Sequence, residues 1–263
     1  MSQSLRIFSQ TLVLCLVASS AHATLQKQNV EYKDGKDTLE GYLVYDDTFH
    51  GNRPAVVIIH QWMGLSDHEK HSAERLAAKG YIAFAADIYG KGIRPTAMKE
   101  AGELAGKYKG DPQLFRRREK AALDFVSKQK DVDAKRIVFM GYCFGGTGAL
   151  EAARAGFPIL GAASFHGGLA TKAPATAKHL KGKLLVMHGA LDPNVPTPEV
   201  EAFMKEMNDA KADYQFIAYS GAVHAFTQKE AGNDNSKGAA YNEAADRRSW
   251  KALESFLDEV APL

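Results

Sequence analysis

The sequence has few cysteines, almost no net charge and no repeated or compositionally biased segment. Two cysteines in 263 residues exclude the disulfide framework of a small secreted scaffold. Lysine and arginine total 33 against 31 acidic residues, a formal net charge of +2, and the signs are interspersed, so no basic field indicates nucleic-acid binding. A hydrophobic fraction of 45% and only 9 prolines exclude collagen-like and intrinsically disordered classes. What remains is a globular protein long enough to bury a sizeable core.

The first residues have the pattern of a secretory signal peptide. Arg6 precedes an apolar run at 11–18, and Ala-His-Ala at 21–23 supplies the small residues of a cleavage site. The run is too short to span a bilayer comfortably as an uncleaved anchor. We therefore predict a signal peptide at 1–23 and an exported mature chain at 24–263, periplasmic in a bacterium and otherwise secreted.

Removal of the signal peptide would take Cys15 with it and leave Cys143 as the one thiol of the mature chain. A single thiol has no internal partner for a disulfide. Cys143 is therefore either a reactive group or a buried residue that behaves as a small hydrophobe. Its position relative to the predicted strands and helices decides between the two.

Apolar runs alternate with segments of helical periodicity along the predicted mature chain. Asp-Gly at 34–35 lies between two alternating segments and predicts a β-hairpin. The predicted strands are 30–32, 39–45, 55–59, 81–86, 136–140, 159–165, 183–188 and 214–219, and the predicted helical regions are 67–79, about 96–130, 145–155, 198–210 and 241–260. This alternation predicts a mainly parallel central sheet with helices on both faces. Without a repeat or a Pro/Ser-rich linker, we predict one domain.

Cys143 lies where a predicted strand runs directly into a predicted helix. The pentapeptide Gly-Tyr-Cys-Phe-Gly at 141–145 is the G-x-S-x-G nucleophile pattern with cysteine in place of serine, in the strand–turn–helix context that the pattern requires. Its glycines permit a sharp turn that exposes the nucleophile. The start of the following helix directs amide dipoles at the sulfur, which favours a thiolate. These features favour the reactive reading of Cys143.

A nucleophile of this kind needs a base, and the base needs a carboxylate to orient it. In the matching folds the order along the chain is nucleophile, acid, histidine, and each lies on a loop after a later strand. Asp192 follows the predicted strand at 183–188, and His224 follows the one at 214–219. Because parallel strands end at the same edge of a sheet, both side chains can reach Cys143. We predict a Cys143–His224–Asp192 triad.

Several stretches resemble the dienelactone hydrolase family of the α/β-hydrolase superfamily. They are Ala-Asp-Ile-Tyr-Gly at 86–90, Gly-Tyr-Cys-Phe-Gly-Gly at 141–146, His-Gly-Ala-Leu-Asp-Pro-Asn-Val-Pro at 188–196, His-Ala-Phe at 224–226 and Ala-Asp-Arg-Arg-Ser-Trp at 245–250. The resemblance covers nearly the whole mature chain, and the Gly-Tyr-Cys elbow is its most specific part. It implies the α/β-hydrolase fold and hydrolysis of a small ester or lactone without a cofactor.

The resemblance also implies roles for individual residues. Cys143 would be the nucleophile, His224 the base and Asp192 its orienting carboxylate, with a thioester acyl-enzyme between substrate and product. The amide after the nucleophile, at Phe144, is expected to be one oxyanion-hole donor. The loop at 60–64 is expected to supply the other, through the amide of Trp62.

We expect three further residues to line the substrate pocket, two of them departures from the family. Tyr89 lies in the matching 86–90 stretch. Relatives commonly carry glutamate at the position of Gln61, where it accepts the thiol proton, and an amide is no base. We therefore hypothesise that His224 activates Cys143 directly. Dienelactone enzymes use an arginine at the position of Gln228 to hold a substrate carboxylate; Arg94 is an alternative cation that sequence alone does not place.

Other readings are weaker. His60, His68 and His71 cluster in the sequence, but His-Glu-Lys-His at 68–71 is not the H-E-x-x-H zinc motif, and no metal is expected. The glycines around Cys143 form neither a dinucleotide nor a Walker A loop, and a disulfide oxidoreductase would need a second thiol. A non-catalytic binding protein on a hydrolase fold stays the main alternative.

We expect a small-molecule substrate, no nucleic acid and no membrane contact after signal cleavage, and leave the oligomeric state open.

Overall fold

A computed structural model describes residues 25–263, so the predicted signal peptide at 1–23 lies outside the described residues. The described part begins with the predicted hairpin, in which strands β1 (Leu25–Asp34) and β2 (Asp37–Asp46) pair antiparallel. Gly35 takes a φ of 59° in the turn, a left-handed conformation that glycine adopts without steric cost. The hairpin is confirmed and is longer than predicted.

Eight strands form one sheet in residues 25–263, in the order β1-β2-β4-β3-β5-β6-β7-β8. The remaining strands are β3 Arg53–Ile59, β4 Ile82–Ala86, β5 Val132–Tyr142, β6 Gly161–Phe165, β7 Lys183–Gly189 and β8 Tyr214–Tyr219. β2 pairs antiparallel with β4, and every later pairing is parallel. The mainly parallel sheet is therefore confirmed.

The central strands are buried on both faces because helices cover both sides of the sheet. Along β3, Ala55, Val57 and Ile59 face one apolar layer, whereas Val56 and Ile58 face the other. This alternation follows from the two-residue period of a strand. A run of apolar residues is therefore required here, as the sequence predicted for a strand covered on both faces.

Six α-helices cover the sheet in the described part of the chain. They are α1 Asp67–Ala77, α2 Met98–Gly110, α3 Pro112–Val126, α4 Phe144–Arg154, α5 Thr197–Asp209 and α6 Glu243–Val260. Helices α1 and α6 pack on one face, and α2 to α5 contribute to the core on the other. None of the helices in residues 25–263 is long and apolar enough to cross a membrane.

The predicted helical region at 96–130 is two helices rather than one. Asp111 ends α2 and begins α3, where its carboxylate accepts the backbone N–H groups of Gln113 and Leu114, both at 3.1 Å. Pro112 is the first residue of α3, a position where its missing N–H costs nothing. Asp-Pro is therefore the signal that divides the region.

Candidate active site

Cys143 occupies a strained turn between β5 and α4. Its backbone angles are φ 54° and ψ −114°, which lie outside the usual regions for a residue with a side chain. The flanking glycines are sterically required. A Cβ atom on Gly141 would collide with the carbonyl of Gly145, and one on Gly145 would collide with the carbonyl of Ile59. The sequence pattern thus produces the sharp strand-to-helix turn that it predicts.

Backbone hydrogen bonds fix this turn to its neighbours. The N–H of Cys143 donates to the carbonyl of Phe165 at the end of β6, at 2.9 Å, and the N–H of Thr147 donates to the carbonyl of Cys143 at 3.2 Å. The Phe144 ring stacks on Phe115 of α3, with centroids 4.5 Å apart and planes 11° apart. Cys143 is thereby held at the carboxyl edge of the sheet.

The structure brings Cys143, His224 and Asp192 into one hydrogen-bonded line. His224 Nε2 lies 3.0 Å from Cys143 Sγ, and His224 Nδ1 lies 2.8 Å from Asp192 Oδ2. The other carboxylate oxygen of Asp192 accepts the N–H of Asn194 at 2.8 Å, so the buried carboxylate is itself held in place. This is the geometry that nucleophile, base and orienting acid require.

The charges in this line favour a thiolate beside an imidazolium. Burial alone would lower the pKa of His224, but its hydrogen bonds to Asp192 and Cys143 outweigh burial and raise the pKa to about 10. Burial alone would raise the pKa of Cys143. The hydrogen bond and charge of His224, then the Phe144 N–H and the charge of Lys109, outweigh it and lower the pKa. The two groups titrate as a pair, and these shifts favour the proton on His224.

The two predicted oxyanion-hole donors, the backbone N–H groups of Phe144 and Trp62, have different surroundings. The Phe144 N–H directly follows Cys143 and helps to lower the pKa of its thiol. The N–H of Trp62 has no hydrogen-bond partner within residues 25–263. The carbonyl of Trp62, in the next peptide unit, accepts the Tyr89 hydroxyl at 2.9 Å. The Trp62 ring is half-buried against the core.

Gln61 holds the loop at 60–64 together. Its side-chain Oε1 accepts the N–H of Met63 at 3.1 Å, its carbonyl accepts the N–H of Gly64 at 3.0 Å, and its own N–H donates to Glu69 Oε1 at 3.2 Å. Sequence reasoning assigned Gln61 to the substrate pocket and missed these loop contacts. Gln61 therefore braces the loop that contains Trp62.

Glu69 is a second residue that sequence reasoning missed. It is fully buried, and its Oε2 accepts the N–H of Ser66 at 2.9 Å in a capping box at the start of α1. Its Oε1 accepts the Gln61 N–H. The pattern S-x-x-E at 66–69 is the signal that could have revealed it. Burial raises the pKa of Glu69 despite these bonds.

Tyr89 lies close enough to Cys143 for the two charges to interact. Burial raises the pKa of Tyr89, and the negative charge of the Cys143 thiolate raises it further. The Tyr89 ring packs 5.4 Å from Phe144 and 5.5 Å from Tyr108. Asp87 Oδ1 accepts the Tyr89 N–H at 3.1 Å. Tyr89 therefore packs against the ring of the residue that follows Cys143.

The two candidates for holding a substrate carboxylate are placed differently. Gln228 is half-buried on the turn after His224, and its N–H donates to the carbonyl of Ala225 at 2.9 Å. Within residues 25–263 no hydrogen bond joins its side chain to the triad. Arg94 is already engaged, since its guanidinium donates to the carbonyl of Ile93 at 2.8 Å and lies 3.4 Å from the carboxylate of Asp87. Arg94 thus supports the loop after β4.

The histidines near the start of α1 have separate surroundings. His60 Nδ1 lies 2.7 Å from the carbonyl of Gln61, and its Nε2 accepts the N–H of Ile88 at 3.1 Å. Burial lowers the pKa of His60 to about 4, so it is a neutral ring between two loops. His68 packs against Tyr142, with ring centroids 4.4 Å apart. In the described residues no three His, Cys, Asp or Glu side chains are grouped so as to hold a metal ion.

A polar cleft of about 680 Å³ lies beside the triad rather than over it. It runs between α1 and α6, and Tyr142, His68 and Thr227 are among the residues that line it. Tyr142 directly precedes Cys143, and its hydroxyl lies 2.9 Å from Ser72 Oγ. The cleft therefore borders the back of the elbow.

Known proteins resemble this chain over most of its length. A solved structure named m3DLH is 37% identical, with a TM-score of 0.85, and the match covers 90% of this chain and 99% of that one. The dienelactone hydrolase-like promiscuous phosphotriesterase P91, from metagenomic libraries, is 36% identical at a TM-score of 0.85, covering 91% and 100%. A Saccharolobus solfataricus protein named "Putative carboxymethylenebutenolidase" is 27% identical over 244 residues, 79% of this chain and 90% of its own length.

The predicted resemblance is confirmed by a family comparison. The model of the dienelactone hydrolase family matches residues 39–261, which include the elbow, the loop at 60–64, Asp192 and His224. The chain belongs to the dienelactone hydrolase family.

Proposed function

We propose that the protein hydrolyses small carboxylic esters or lactones through a thioester acyl-enzyme, with Cys143 as nucleophile, His224 as base and Asp192 as orienting carboxylate. Membership of the dienelactone hydrolase family makes it an ester or lactone hydrolase. The observation that carries the mechanism is the continuous line of contacts, 3.0 Å from Cys143 Sγ to His224 Nε2 and 2.8 Å from His224 Nδ1 to Asp192 Oδ2.

In the acylation step the Cys143 thiolate attacks the carbonyl carbon of the substrate. A C–S bond forms, and the carbonyl oxygen takes up the negative charge. The N–H groups of Phe144 and Trp62 are the proposed donors to that oxygen, in a site where donors need little reorganisation. The tetrahedral intermediate then expels the alkoxide, and the His224 imidazolium donates its proton to the leaving oxygen. A lactone opens in the same way, with its alcohol still attached.

Deacylation uses the same groups in reverse. His224, now neutral, accepts a proton from water as the water oxygen attacks the thioester carbonyl. The C–S bond breaks, the acid leaves, and Cys143 departs as a thiolate. Thiolate and imidazolium are both restored, so charge and protons balance over the cycle without a cofactor.

Asp192 has a separate task. Its Oδ2 accepts the Nδ1–H of His224, which fixes the ring so that Nε2 faces the sulfur. Because the carboxylate is buried and tied to Asn194, its charge also stabilises the imidazolium.

The direct pair between His224 and Cys143 accounts for the absence of a carboxylate at position 61. A family member with glutamate there has a proton acceptor for the thiol. Here His224 already holds that proton, since its pKa is raised to about 10 while that of Cys143 is lowered. Gln61 can then serve as the neutral brace of the loop at 60–64.

Acyl-enzyme trapping tests the mechanism. The wild-type protein is mixed with p-nitrophenyl acetate, a thioester, an unsaturated lactone and a phosphotriester, and the intact mass is recorded within seconds. The phosphotriester is included because P91, at 36% identity, is described as a promiscuous phosphotriesterase. We expect an acyl adduct in the wild type and none in Cys143→Ala. No adduct and no turnover on any substrate would favour a non-catalytic binding protein instead.

We also propose that the chain is exported and loses residues 1–23. The charged start, the short apolar run and Ala-His-Ala at 21–23 support this. Expression of the full chain with a C-terminal tag in a bacterium, followed by fractionation and mass spectrometry, should find a periplasmic protein that begins at Thr24. A cytoplasmic protein with an intact N-terminus would contradict the proposal.

A further inference from the structure

Two buried polar side chains, His166 and Thr227, lie next to His224 and have no part in the chemistry above. The His166 and His224 rings meet edge to face, with centroids 5.2 Å apart and an interplanar angle of 66°. His166 Nε2 lies 2.9 Å from Thr227 Oγ1, which in turn lies 3.5 Å from His68 Nε2 at the border of the polar cleft. A polar layer therefore separates the triad from that cleft.

His166 is a costly residue to bury at this position. It is fully buried, its φ is 40°, and its Nδ1 has no hydrogen-bond partner within residues 25–263. An unsatisfied ring nitrogen and a left-handed backbone each cost folding free energy. Burial, and then the nearby charge of His224, hold the pKa of His166 well below its ordinary value, so the ring is neutral. A phenylalanine would fill the space without the unsatisfied nitrogen, which points to a role for the imidazole.

The hydrogen bonds of His224 hold its ring at the two nitrogens, through Asp192 and Cys143. A swing of the ring about Nδ1 keeps the bond to Asp192 but carries Nε2 and its N–H away from the sulfur. The His166 ring packs edge to face against the His224 ring and opposes this swing.

Thr227 links the turn that carries His224 to the strand that fixes Cys143. Thr227 lies three residues after His224, beyond Ala225, whose φ is 57°. His166 directly follows Phe165, whose carbonyl accepts the N–H of Cys143 at 2.9 Å. The bond between Thr227 and His166 therefore connects the base-bearing turn to the strand end that holds the nucleophile. It runs alongside the direct bond between His224 and Cys143.

We propose that His166 and Thr227 are positioning residues, and that their hydrogen bond holds the His224 ring in the orientation that pairs it with Cys143. The inference rests on the proposed function for its effect on catalysis. Its effect on the thiol is independent of turnover, because the pairing sets how readily Cys143 is alkylated at a given pH.

The test compares three hydroxyl variants. Thr227→Val removes the hydroxyl at nearly constant shape, and Thr227→Ser retains it. Ser249→Ala is the matched control, since Ser249 is also buried and its hydroxyl donates to the carbonyl of Asp246 on α6 at 2.9 Å. Iodoacetamide alkylation of Cys143 is measured from pH 5 to 10, together with kcat and KM on a p-nitrophenyl ester.

We expect Thr227→Val to move the alkylation midpoint toward that of an ordinary thiol. Its kcat should fall about tenfold with KM within about twofold, because a small misplacement of a reacting group is enough for such a loss. Thr227→Ser should retain the wild-type alkylation midpoint and kcat, and Ser249→Ala should change neither quantity. His166→Phe keeps a ring beside His224 but removes the bond to Thr227, and it should behave as Thr227→Val does. If Thr227→Val fails to fold, His166→Phe provides the test of the positioning role.

The expected result differs if the contact between His166 and Thr227 only stabilises the fold. In that case Thr227→Val and His166→Phe unfold at lower temperature but keep the wild-type alkylation profile and kcat, and the inference is overturned. If the wild type forms no acyl adduct while both variants still shift the alkylation midpoint, the proposed function fails and the positioning role stands.

Discussion

His224 Nε2 lies 3.0 Å from Cys143 Sγ, and the pKa values of the two groups move in opposite directions, that of His224 to about 10 and that of Cys143 downward. A proton shared by such a pair belongs to the imidazole over most of the neutral range. These shifts favour a thiolate–imidazolium pair in the resting site, whose reactivity depends on the groups that favour or oppose the thiolate charge.

The first prediction concerns Gln61. Gln61→Glu keeps an oxygen for the N–H of Met63 but adds a negative charge to the loop that faces the site. Like charge disfavours a second anion, so the alkylation midpoint of Cys143 should rise above the wild-type value. Gln113→Glu makes the same charge change on the exposed surface of α3 and should leave the midpoint unchanged. A wild-type midpoint already at that of an ordinary thiol would contradict direct activation by His224.

The second prediction separates the roles within the triad. Cys143→Ala removes the atom that bonds to the substrate, so no acyl adduct and no turnover should remain. Asp192→Asn keeps the shape but loses the charge and allows the wrong tautomer of His224, so kcat should fall by about 10³- to 10⁴-fold without vanishing. Asp124→Asn, on the exposed part of α3, is the control. Equal activity in all of these proteins would refute the assignment of roles.

The proposed roles rest on features that the sequence makes visible. The elbow is local, because Gly141, Cys143 and Gly145 are close in the chain and their steric needs are read from the pattern. Asp192 and His224 are distant in sequence, yet each directly follows an apolar strand. The rule that parallel strands end at one edge was enough to place them near Cys143, and the distances agree with that placement.

Other features depend on packing that no local pattern records. The contact of Gln61 with the N–H of Met63 depends on how one loop closes. The contact between His166 and Thr227 joins residues 61 positions apart, and neither lies in a motif. By contrast, the division between α2 and α3 at Asp111 has a local cause in a capping aspartate followed by proline, which the prediction of one helical region at 96–130 did not use.

The third prediction tests the steric need for glycine in the elbow. Gly145→Ala places a Cβ atom against the carbonyl of Ile59, a backbone atom that has no flexible end to move away. We expect a loss of about 3 kcal/mol in the free energy of unfolding. The control is Gly102→Ala in α2, where a Cβ atom meets nothing within 4 Å. It should stabilise the protein by about 0.5 to 1 kcal/mol. Urea denaturation measures both, and equal effects would show that the elbow tolerates a side chain.

The fourth prediction concerns stability in acid. Burial lowers the pKa of His60 and of His68 from an ordinary 6.5 to about 4. The unfolded chain therefore takes up a proton on each as pH falls through 6.5, and the folded chain does so only near 4. Their stabilising contribution is complete above pH 6.5 and is lost as pH falls to about 4. Each pKa shift corresponds to a change of about 3 kcal/mol in the free energy of unfolding.

Urea denaturation at pH 7.5, 5.5 and 4.5 tests this with two histidine variants. His68→Gln should lose less stability than the wild type between pH 7.5 and 4.5, because one proton uptake on unfolding has been removed. His50→Gln changes an exposed histidine and should follow the wild-type curve. Parallel curves for all three proteins would show that His68 is not held neutral by burial. A shallower curve for His68→Gln alone would identify the imidazole between the cleft and Tyr142 as a source of acid sensitivity.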